Sequence, residues 1–291
     1  LGNSPEALEL IENYGADGVR FGMLSSAAAG NDIVFDAPFD PETKAVKNES
    51  KLCEQGRNFC NKMWNALRLV KGWEIADKDQ DTVNKLAINW LENKLNQILT
   101  QNEANYEVYR LSDVLMSLYN FIWGDFCSWY LEMIKPNYGE PTEQGTIDKT
   151  IAIYEKLMTL LHPFMPFVTE EIWQQLKERE DGDDCVISAY PKPDSFDEGL
   201  IQKVEKAKDV TTKIREIRQK HSIKWQDKLQ LFVEESDSAT ALFSQEGIKE
   251  MISKMAGLSE VTFTKEEPEN AVGFLSGTEK YFVPVEIEID V

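Results

Sequence analysis

Apolar side chains recur at steps of three, four and seven positions between residues 41 and 176. The longest stripe covers residues 111–134 and stops before Pro136 and Gly139, two residue types that end helices. The same periodicity predicts further helices over residues 41–73, 82–102, 147–161 and 164–176. Long amphipathic helices joined by short links predict an α-helical bundle, which we assign to residues 41–195.

The first 40 residues carry a weaker pattern and form a segment of their own. Asn3-Ser4-Pro5-Glu6 has the composition of a helix start, with Asn3 as the cap and Glu6 completing a capping box. We predict that this helix ends by Gly15. Residues 16–24 have mixed spacing, and the apolar run 33–35 predicts one brief strand within an irregular connector.

The pattern changes beyond residue 180. Residues 181–184 predict a turn, and the proline-rich segment 190–194 cannot be helical. The remaining predicted elements are helices over 200–220 and 239–255 and strands over 229–233, 261–264, 273–275 and 281–287. The predicted fold class is therefore mainly α, with the helical bundle followed by a small α/β domain over residues 196–291.

Composition narrows the class of protein. The 291 residues are 42% hydrophobic and 28% charged, which is enough to bury a core, and their formal net charge is −20. No window approaches the roughly 18 consecutive apolar residues of a membrane span, and the first residues have no secretory signal pattern. Because the chain lacks an initiator Met and stops inside a predicted strand, we expect it to be a piece of a larger protein.

Cysteines and histidines do not predict a metal site. The four cysteines show no C-x-x-C spacing, and the two histidines are His162 and His221, whereas a structural zinc site needs about four such ligands in a tight pattern. Free thiols favour a reducing compartment, so we expect a cytoplasmic protein. No catalytic signature is present, and His162 lies in an apolar run typical of a packed helix junction. We therefore expect this chain to be inactive by itself and to hold no cofactor.

Charge is distributed unevenly along the chain. Residues 41–71 contain seven basic and three acidic side chains, and residues 203–228 contain nine basic and four acidic ones. These stretches carry local charges of +4 and +5, so the rest of the chain carries −29. Two basic helices on an acidic body can bind a phosphate backbone at selected places. The alternative is a solvated helix face with ordinary ion pairs.

The helix over residues 57–68 favours the first interpretation. Asn58, Asn61, Asn65 and Arg68 follow one another at steps of three and four, away from the apolar stripe. Asparagine is an indifferent helix former, so several on one face call for a reason. Amide and guanidinium groups hydrogen-bond to base edges, and nearby aromatic rings stack on unpaired bases.

Several segments together resemble class I aminoacyl-tRNA synthetases, and the valyl-tRNA synthetases in particular. Leu1-Gly2-Asn3 and residues 14–21 resemble the stretch that follows the KMSKS signature. The other segments are Ala29-Gly30-Asn31-Asp32-Ile33, residues 57–66, Trp129-Tyr130-Leu131-Glu132, residues 162–167 with Glu170-Glu171-Ile172-Trp173, and residues 281–285. The resemblance covers essentially the whole chain. It implies a stem-contact segment over residues 1–40, a helical anticodon-binding domain over 41–195 and a junction domain over 196–291, before a coiled coil that this chain does not include.

The resemblance also implies which residues contact tRNA. Asn65 matches a position that contacts the anticodon loop in related synthetases, and its neighbours on the helix are Arg57, Asn58, Asn61, Lys62, Trp64 and Arg68. Trp129 matches an aromatic near the anticodon, although its stripe position favours core packing. Lys213, Arg215 and Arg218 of the second basic stretch complete the predicted tRNA-binding set. Ser128 replaces the family's usual Asp, and Asn31 replaces its usual Arg, which weakens any phosphate contact at that loop.

The activity of the parent protein follows from the resemblance alone. It is expected to be a monomeric enzyme that charges valine tRNAs using ATP and Mg and hydrolyses threonyl errors, since a hydrophobic pocket rejects an isostere poorly. Two alternatives stay open at this point. One is an isoleucyl- or leucyl-type synthetase fragment, and the other is a helical protein-interaction scaffold with no RNA role, which the net charge of −20 favours.

Overall fold

The computed structural model describes residues 4–27, 30 and 32–285. The chain forms two compact units. The first comprises Leu1–Lys78, Lys94–Leu131 and Lys135–Phe196, and the second comprises Asp79–Asn93, Glu132–Ile134 and Asp197–Val291. A helical region followed by a small α/β region confirms the predicted fold class. No helix within the described residues is long and apolar enough to cross a membrane.

Helices dominate as far as residue 176. They are α1 (Ala7–Tyr14), α2 (Ala16–Ser25), α3 (Lys51–Lys71), α4 (Thr82–Glu107), α5 (Leu111–Asn120), a π-helix (Phe121–Tyr130), α6 (Leu131–Ile134), α7 (Gln144–Leu161) and α8 (Pro166–Leu176). Two short strand pairs lie in the segments between these helices. β1 (Phe39–Asp40) pairs with β2 (Ala45–Val46), and β3 (Ile75–Ala76) pairs with β4 (Thr142–Glu143). The Ser50 hydroxyl caps α3 by accepting from the Cys53 N–H at 3.0 Å.

The N-terminal segment differs from the prediction in three ways. Helix α1 begins at Ala7 with Glu6 at the N-cap and no side-chain cap, so the predicted capping box is wrong; Asn3 lies outside the described residues. Residues 16–25 form a regular helix, whose mixed spacing reflects burial on more than one side. The run 33–35 is not a strand, and Val34 is 83% exposed. Gly15 ends α1 as predicted, at φ +76°.

Glycines let α2 and α3 pack backbone against backbone. A Cβ on Gly56 of α3 would lie 2.9 Å from the Gly18 carbonyl oxygen and 2.7 Å from the Phe21 Cβ. A Cβ on Gly22 would lie 2.6 Å from the Cys53 Sγ. Such distances leave no room for a side chain. The close packing fixes α3 along its inner face and leaves its outer face uncovered by α2.

The longest predicted helix is interrupted by a different helical form. Its first part is α5, but Phe121–Tyr130 is a π-helix, in which each N–H bonds to the carbonyl five residues back. The Leu131 N–H donates to the Phe126 carbonyl, and the Ser128 hydroxyl donates to the Trp123 carbonyl at 2.8 Å. π-Helical turns are uncommon and are often associated with functional sites.

The second unit is built on a four-stranded sheet. Its strands are β5 (Leu229–Glu234), β6 (Leu258–Thr264), β7 (Ala271–Ser276) and β8 (Glu279–Pro284), in the order β6-β5-β8-β7. Strands β5 and β6 are parallel, and the other two pairings are antiparallel. The predicted strand 281–287 extends past residue 285, beyond the described residues.

Three helices accompany this sheet, α9 (Glu198–Lys220), α10 (Asp237–Phe243) and α11 (Ile248–Ala256). The predicted single helix over 239–255 is therefore wrong. It breaks at Gly247, whose φ of +88° is left-handed and cannot continue a right-handed helix. Helix α9 matches its prediction closely and is capped by the Asp197 carboxylate, which accepts from the Leu200 N–H at 3.0 Å.

Candidate nucleic-acid interface

One face of α3 is polar and exposed along its whole length. Asn58, Asn61, Asn65 and Arg68 are all exposed, whereas the opposite face is buried. The buried positions are Cys53, Gly56, Phe59, Met63, Ala66, Leu67 and Val70. The predicted division of this helix into an apolar stripe and an asparagine-rich stripe is confirmed.

The polar side chains of this face are not used by the fold. Among the described residues, no hydrogen bond or ion pair involves the side chains of Asn58, Asn61, Asn65 or Arg68. We call these four residues the α3 face. By contrast, Lys71 at the end of the same helix donates to the Gln175 carbonyl at 2.5 Å. The α3 face therefore presents three amides and one guanidinium group, which can donate to and accept from an external ligand.

The neighbouring candidates are partly engaged. Arg57 is half-buried: it donates to the Asn13 carbonyl at 3.2 Å, pairs with Glu54 at 3.4 Å and lies 5.6 Å from the centroid of the Tyr14 ring. Arg57 thus ties α3 to α1. Trp64 is also half-buried.

Lys62 of α3 lies beside an aromatic ring of the π-helix, that of Trp123. The Lys62 ammonium lies 5.5 Å from the centroid of the Trp123 ring, and Trp123 packs near Phe59 at a centroid distance of 6.4 Å. Sequence reasoning missed Trp123 because the residue lies inside an apolar stripe and looks like core. Trp123 is half-buried, and no signal in the sequence separates it from the core positions of that stripe. Trp129 is half-buried and interacts within the protein.

Three predicted contacts in the second basic stretch, Lys213, Arg215 and Arg218, already have acceptors within the protein. Lys213 pairs with Asp209 at 2.9 Å and donates to the Leu275 carbonyl at 2.5 Å. Arg215 is exposed to solvent but donates to the Met255 carbonyl at 2.9 Å, and partial desolvation lowers the pKa of its guanidinium group. Arg218 is 5% exposed and donates to four backbone carbonyls, those of Lys224, Ala256, Asp227 and Gly257.

The tRNA contacts of Lys213, Arg215 and Arg218 stay a prediction; the structure shows that Arg218 is buried, Lys213 half-buried and Arg215 exposed. Their charges are directed to acceptors of their own unit, because α9 packs against α11 and the sheet. An arginine buried among carbonyls is a structural group, since moving it to a phosphate would leave those carbonyls unsatisfied.

The cysteine thiols are protonated at neutral pH. Burial raises the pKa of Cys60 and Cys127 to about 12 and that of Cys185 to about 11. Since the folded pKa values exceed those of unfolded thiols, the resulting stability is present below pH ~9 and is lost as the pH rises toward 12.

We expect Ellman's reagent at pH 8 to label these thiols slowly in the native chain and rapidly in urea. Equal rates in both conditions would contradict the burial described here.

Three potential metal-ligating groups meet beside α8. The ligand atoms of His162, Glu170 and Cys185 lie within 4.8 Å of one another, a proximity that their spacing in sequence does not reveal. Each already has a protein partner: the His162 Nδ1 contacts the Thr169 hydroxyl at 2.8 Å, and both Glu170 oxygens accept from the Cys185 N–H. The raised pKa of the Cys185 thiol disfavours the thiolate that a metal requires. Hydrogen bonding accounts for this cluster.

One known family matches a stretch of the chain that includes parts of both compact units. Residues 89–233 match the family described as "Anticodon-binding domain of tRNA ligase". This chain contains an anticodon-binding domain of the tRNA-ligase family. The match begins within α4 and ends in β5, and it includes the π-helix. Helix α3 lies before the matched residues.

Two curated relatives align with the whole chain. It is 43% identical over 292 residues to the valine–tRNA ligase of Christiangramia forsetii and 43% identical over 294 residues to that of Bacteroides thetaiotaomicron. Both alignments cover 100% of this chain but only 31% of the relative. Among solved structures, a LeuRS–tRNA–LeuAMS ternary complex from Agrobacterium radiobacter K84 covers 89% of this chain and 29% of its own, with 12% identity and a TM-score of 0.41.

Proposed function

We propose that this chain binds and positions the anticodon stem-loop of a valine tRNA, and that the α3 face makes the contact. The observation that carries the proposal is the row of four exposed side chains, Asn58, Asn61, Asn65 and Arg68, none of which is used by the described part of the fold. Such a row has no structural role to explain it. Its groups are those that hydrogen-bond to base edges and phosphates.

The surroundings of the α3 face suit an unpaired RNA loop better than a duplex. Single-stranded loops expose bases that stack on aromatic rings, and Trp123 with Lys62 supplies a ring and a cation beside the helix. Arg68 would contact a phosphate or a guanine, and the asparagines would contact the edges of splayed bases. The packing of α2 against α3 holds these groups in place before RNA arrives, which lowers the entropic cost of binding.

The proposal extends to the protein of which this chain is a part. Because the chain spans 31% of its relatives, we assign valine activation, with ATP and Mg, and the hydrolysis of threonyl errors to regions outside it. The parent would be a valine–tRNA ligase, acting as a monomer in the cytoplasm. By itself this chain would catalyse nothing, and valine-dependent ATP–pyrophosphate exchange by the purified chain would refute that statement.

The test is the double variant Asn65→Ala, Arg68→Ala, assayed by fluorescence anisotropy with a labelled tRNA transcript that carries a valine anticodon. Each base contact of this kind is worth about 1–3 kcal/mol, so we expect binding to weaken at least ~10-fold. Loss of one phosphate contact would also reduce the slope of log affinity against log salt by about one.

A matched control is available in the same unit. Arg110, the N-cap residue of α5, and Asn120, the last residue of that helix, are exposed, and Arg110→Ala, Asn120→Ala removes the same chemical groups. This control should retain the affinity of the unsubstituted chain. Unchanged affinity in the folded α3 variant would contradict the proposal. A chain that shifts no tRNA at low salt, at any concentration, would support the protein-interaction scaffold instead.

A further inference from the structure

The second unit carries an exposed tryptophan with exposed lysines around it in the sequence. Residues 221–228 connect α9 to β5, and together with the last two residues of α9 we call them the Trp225 loop. Trp225 is 53% exposed, and Lys220, Lys224 and Lys228 are exposed as well. Asp227 is the one acidic residue within this segment. An exposed tryptophan among lysines is unusual in a chain whose net charge is −20.

The Trp225 loop has a fixed shape. The Arg218 guanidinium group donates to the carbonyls of Lys224 and Asp227, each at 3.0 Å. The Ile223 N–H donates to the Arg218 carbonyl at 2.9 Å, and Ser222 adopts a left-handed φ of +53°. The buried arginine that sequence reasoning assigned to RNA therefore builds the loop that presents the tryptophan. A loop ordered in advance loses little entropy when it binds.

The position of Trp225 is not explained by packing alone. Its ring lies beside Gly257, where an added Cβ would be 3.4 Å from the indole, so one edge is supported while half of the residue faces outward. The Arg218 guanidinium carbon and the Lys228 ammonium each lie 5.3 Å from the ring centroid. These contacts hold the ring in place, and the exposed half of the residue is open to an external partner.

We propose that the Trp225 loop is a second RNA contact of this chain. In this arrangement the indole stacks on an unpaired base or a terminal base pair, and Lys220, Lys224 and Lys228 contact the flanking phosphates. The remainder of the chain is strongly acidic, so the loop attracts a polyanion where its surroundings repel it. The inference rests on the proposed function for the identity of the RNA, and it concerns residues that the α3 face does not include.

The first test replaces the ring. Stacking on an aromatic side chain contributes enough that Trp225→Ala should weaken binding of the valine tRNA transcript about 5- to 150-fold. Trp225→Phe retains a smaller ring and should recover part of the loss. A loss that phenylalanine does not restore, or no loss in a folded Trp225→Ala chain, would overturn the stacking assignment. Urea unfolding of each variant verifies that the sheet is intact.

The second test replaces the charges. Lys224→Gln, Lys228→Gln should reduce the slope of log affinity against log salt by about 1.4 to 1.8, because two phosphate contacts are lost. Lys249 and Lys265 are exposed lysines elsewhere in the same unit, and Lys249→Gln, Lys265→Gln removes an equal charge. The control should leave the slope unchanged. An equal reduction in both variants would mean diffuse attraction instead of a site, and would overturn the inference.

The two proposals fail in different ways. If the α3 variant loses tRNA binding while the Trp225 loop variants keep it, the proposed function stands and the loop inference is wrong. A 12-nucleotide polyuridine strand serves as a second probe, because stacking tolerates any base. If the unsubstituted chain binds neither tRNA nor this strand, both proposals fail; if it binds the strand through Trp225 but not the tRNA, the anticodon assignment alone fails. Binding of an acidic peptide without RNA would also overturn the inference.

Discussion

Replacing Arg218 by alanine should destabilise the second unit by about 3–5 kcal/mol. The guanidinium group is 5% exposed and donates to four carbonyls from two segments, with distances from 2.6 Å to Gly257 to 3.0 Å to Lys224 and Asp227. Alanine would leave those carbonyls without donors and would open a cavity, and the loss of buried charge-assisted hydrogen bonds is costly. Urea unfolding, monitored by circular dichroism, measures the change in the free energy of unfolding.

Two variants separate this effect from ordinary loss of charge. Lys220 is exposed two residues further on, and Lys220→Ala should change the free energy of unfolding by no more than about 0.5 kcal/mol. Arg218→Lys keeps the charge but loses the planar fork of donors, so it should recover only a minor part of the stability. A loss below about 1 kcal/mol for Arg218→Ala would contradict the structural role assigned to this arginine.

Phe59→Ala should cost a similar amount in the first unit, about 3–5 kcal/mol. Phe59 is fully buried on the inner side of α3 and lies at centroid distances of 4.9 Å from Tyr119, 6.1 Å from Phe21 and 6.4 Å from Trp123. The cavity would open where α2, α5 and the π-helix meet α3. We expect a matching drop in the free energy of unfolding measured in urea, together with weaker tRNA binding because the α3 face loses its support.

The control for this variant keeps an apolar group of moderate volume. Phe59→Leu fills most of the space, so its cost should be clearly smaller than that of alanine. If tRNA binding falls in Phe59→Ala but returns in Phe59→Leu, the packing beneath α3 positions its outer face. A variant that binds tRNA normally despite a destabilised core would mean that the α3 face needs no such support.

The sequence predicts the α3 face well because the relevant information is local. Helical spacing places Asn58, Asn61 and Asn65 together, and a long amphipathic helix buries its apolar side in nearly any bundle. The structure adds what spacing cannot, namely that these amides lack partners in the described part of the chain. The net charge of −20 is a property of the whole chain and does not describe the α3 face, whose one charged residue is Arg68.

The basic stretch of α9 shows what local spacing leaves out. Counting charges identifies cations, but it does not identify their acceptors, which come from distant parts of the chain. Arg218 meets Gly257, 39 positions away, and Lys213 meets Leu275, 62 positions away. Long-range partners of this kind depend on the tertiary fold. The resemblance to a family did not resolve the point, since a shared basic helix does not state which of its cations face outward.

The π-helix and the break at Gly247 were missed because periodicity is a coarse signal. An apolar stripe continues through Phe121–Tyr130 whether each N–H bonds four or five residues back. A single glycine in a helical pattern is tolerated often enough that Gly247 alone does not predict a break. Its left-handed conformation is a property of the folded unit, in which a Cβ added to Gly247 would lie 2.9 Å from the Thr82 carbonyl oxygen of α4.

The most direct measurement is site-specific photo-crosslinking from the α3 face. A benzophenone amino acid introduced at Asn61, in the middle of the face, would be irradiated in the complex with the valine tRNA transcript, and the linked nucleotide would be mapped by primer extension. The same amino acid at the exposed position Glu171 of α8 serves as the reference. We predict that Asn61 crosslinks to nucleotides of the anticodon loop and that Glu171 does not. Crosslinks from Asn61 to the acceptor stem, or to no nucleotide in a complex that forms normally, would contradict the assignment of α3 as the anticodon-binding face.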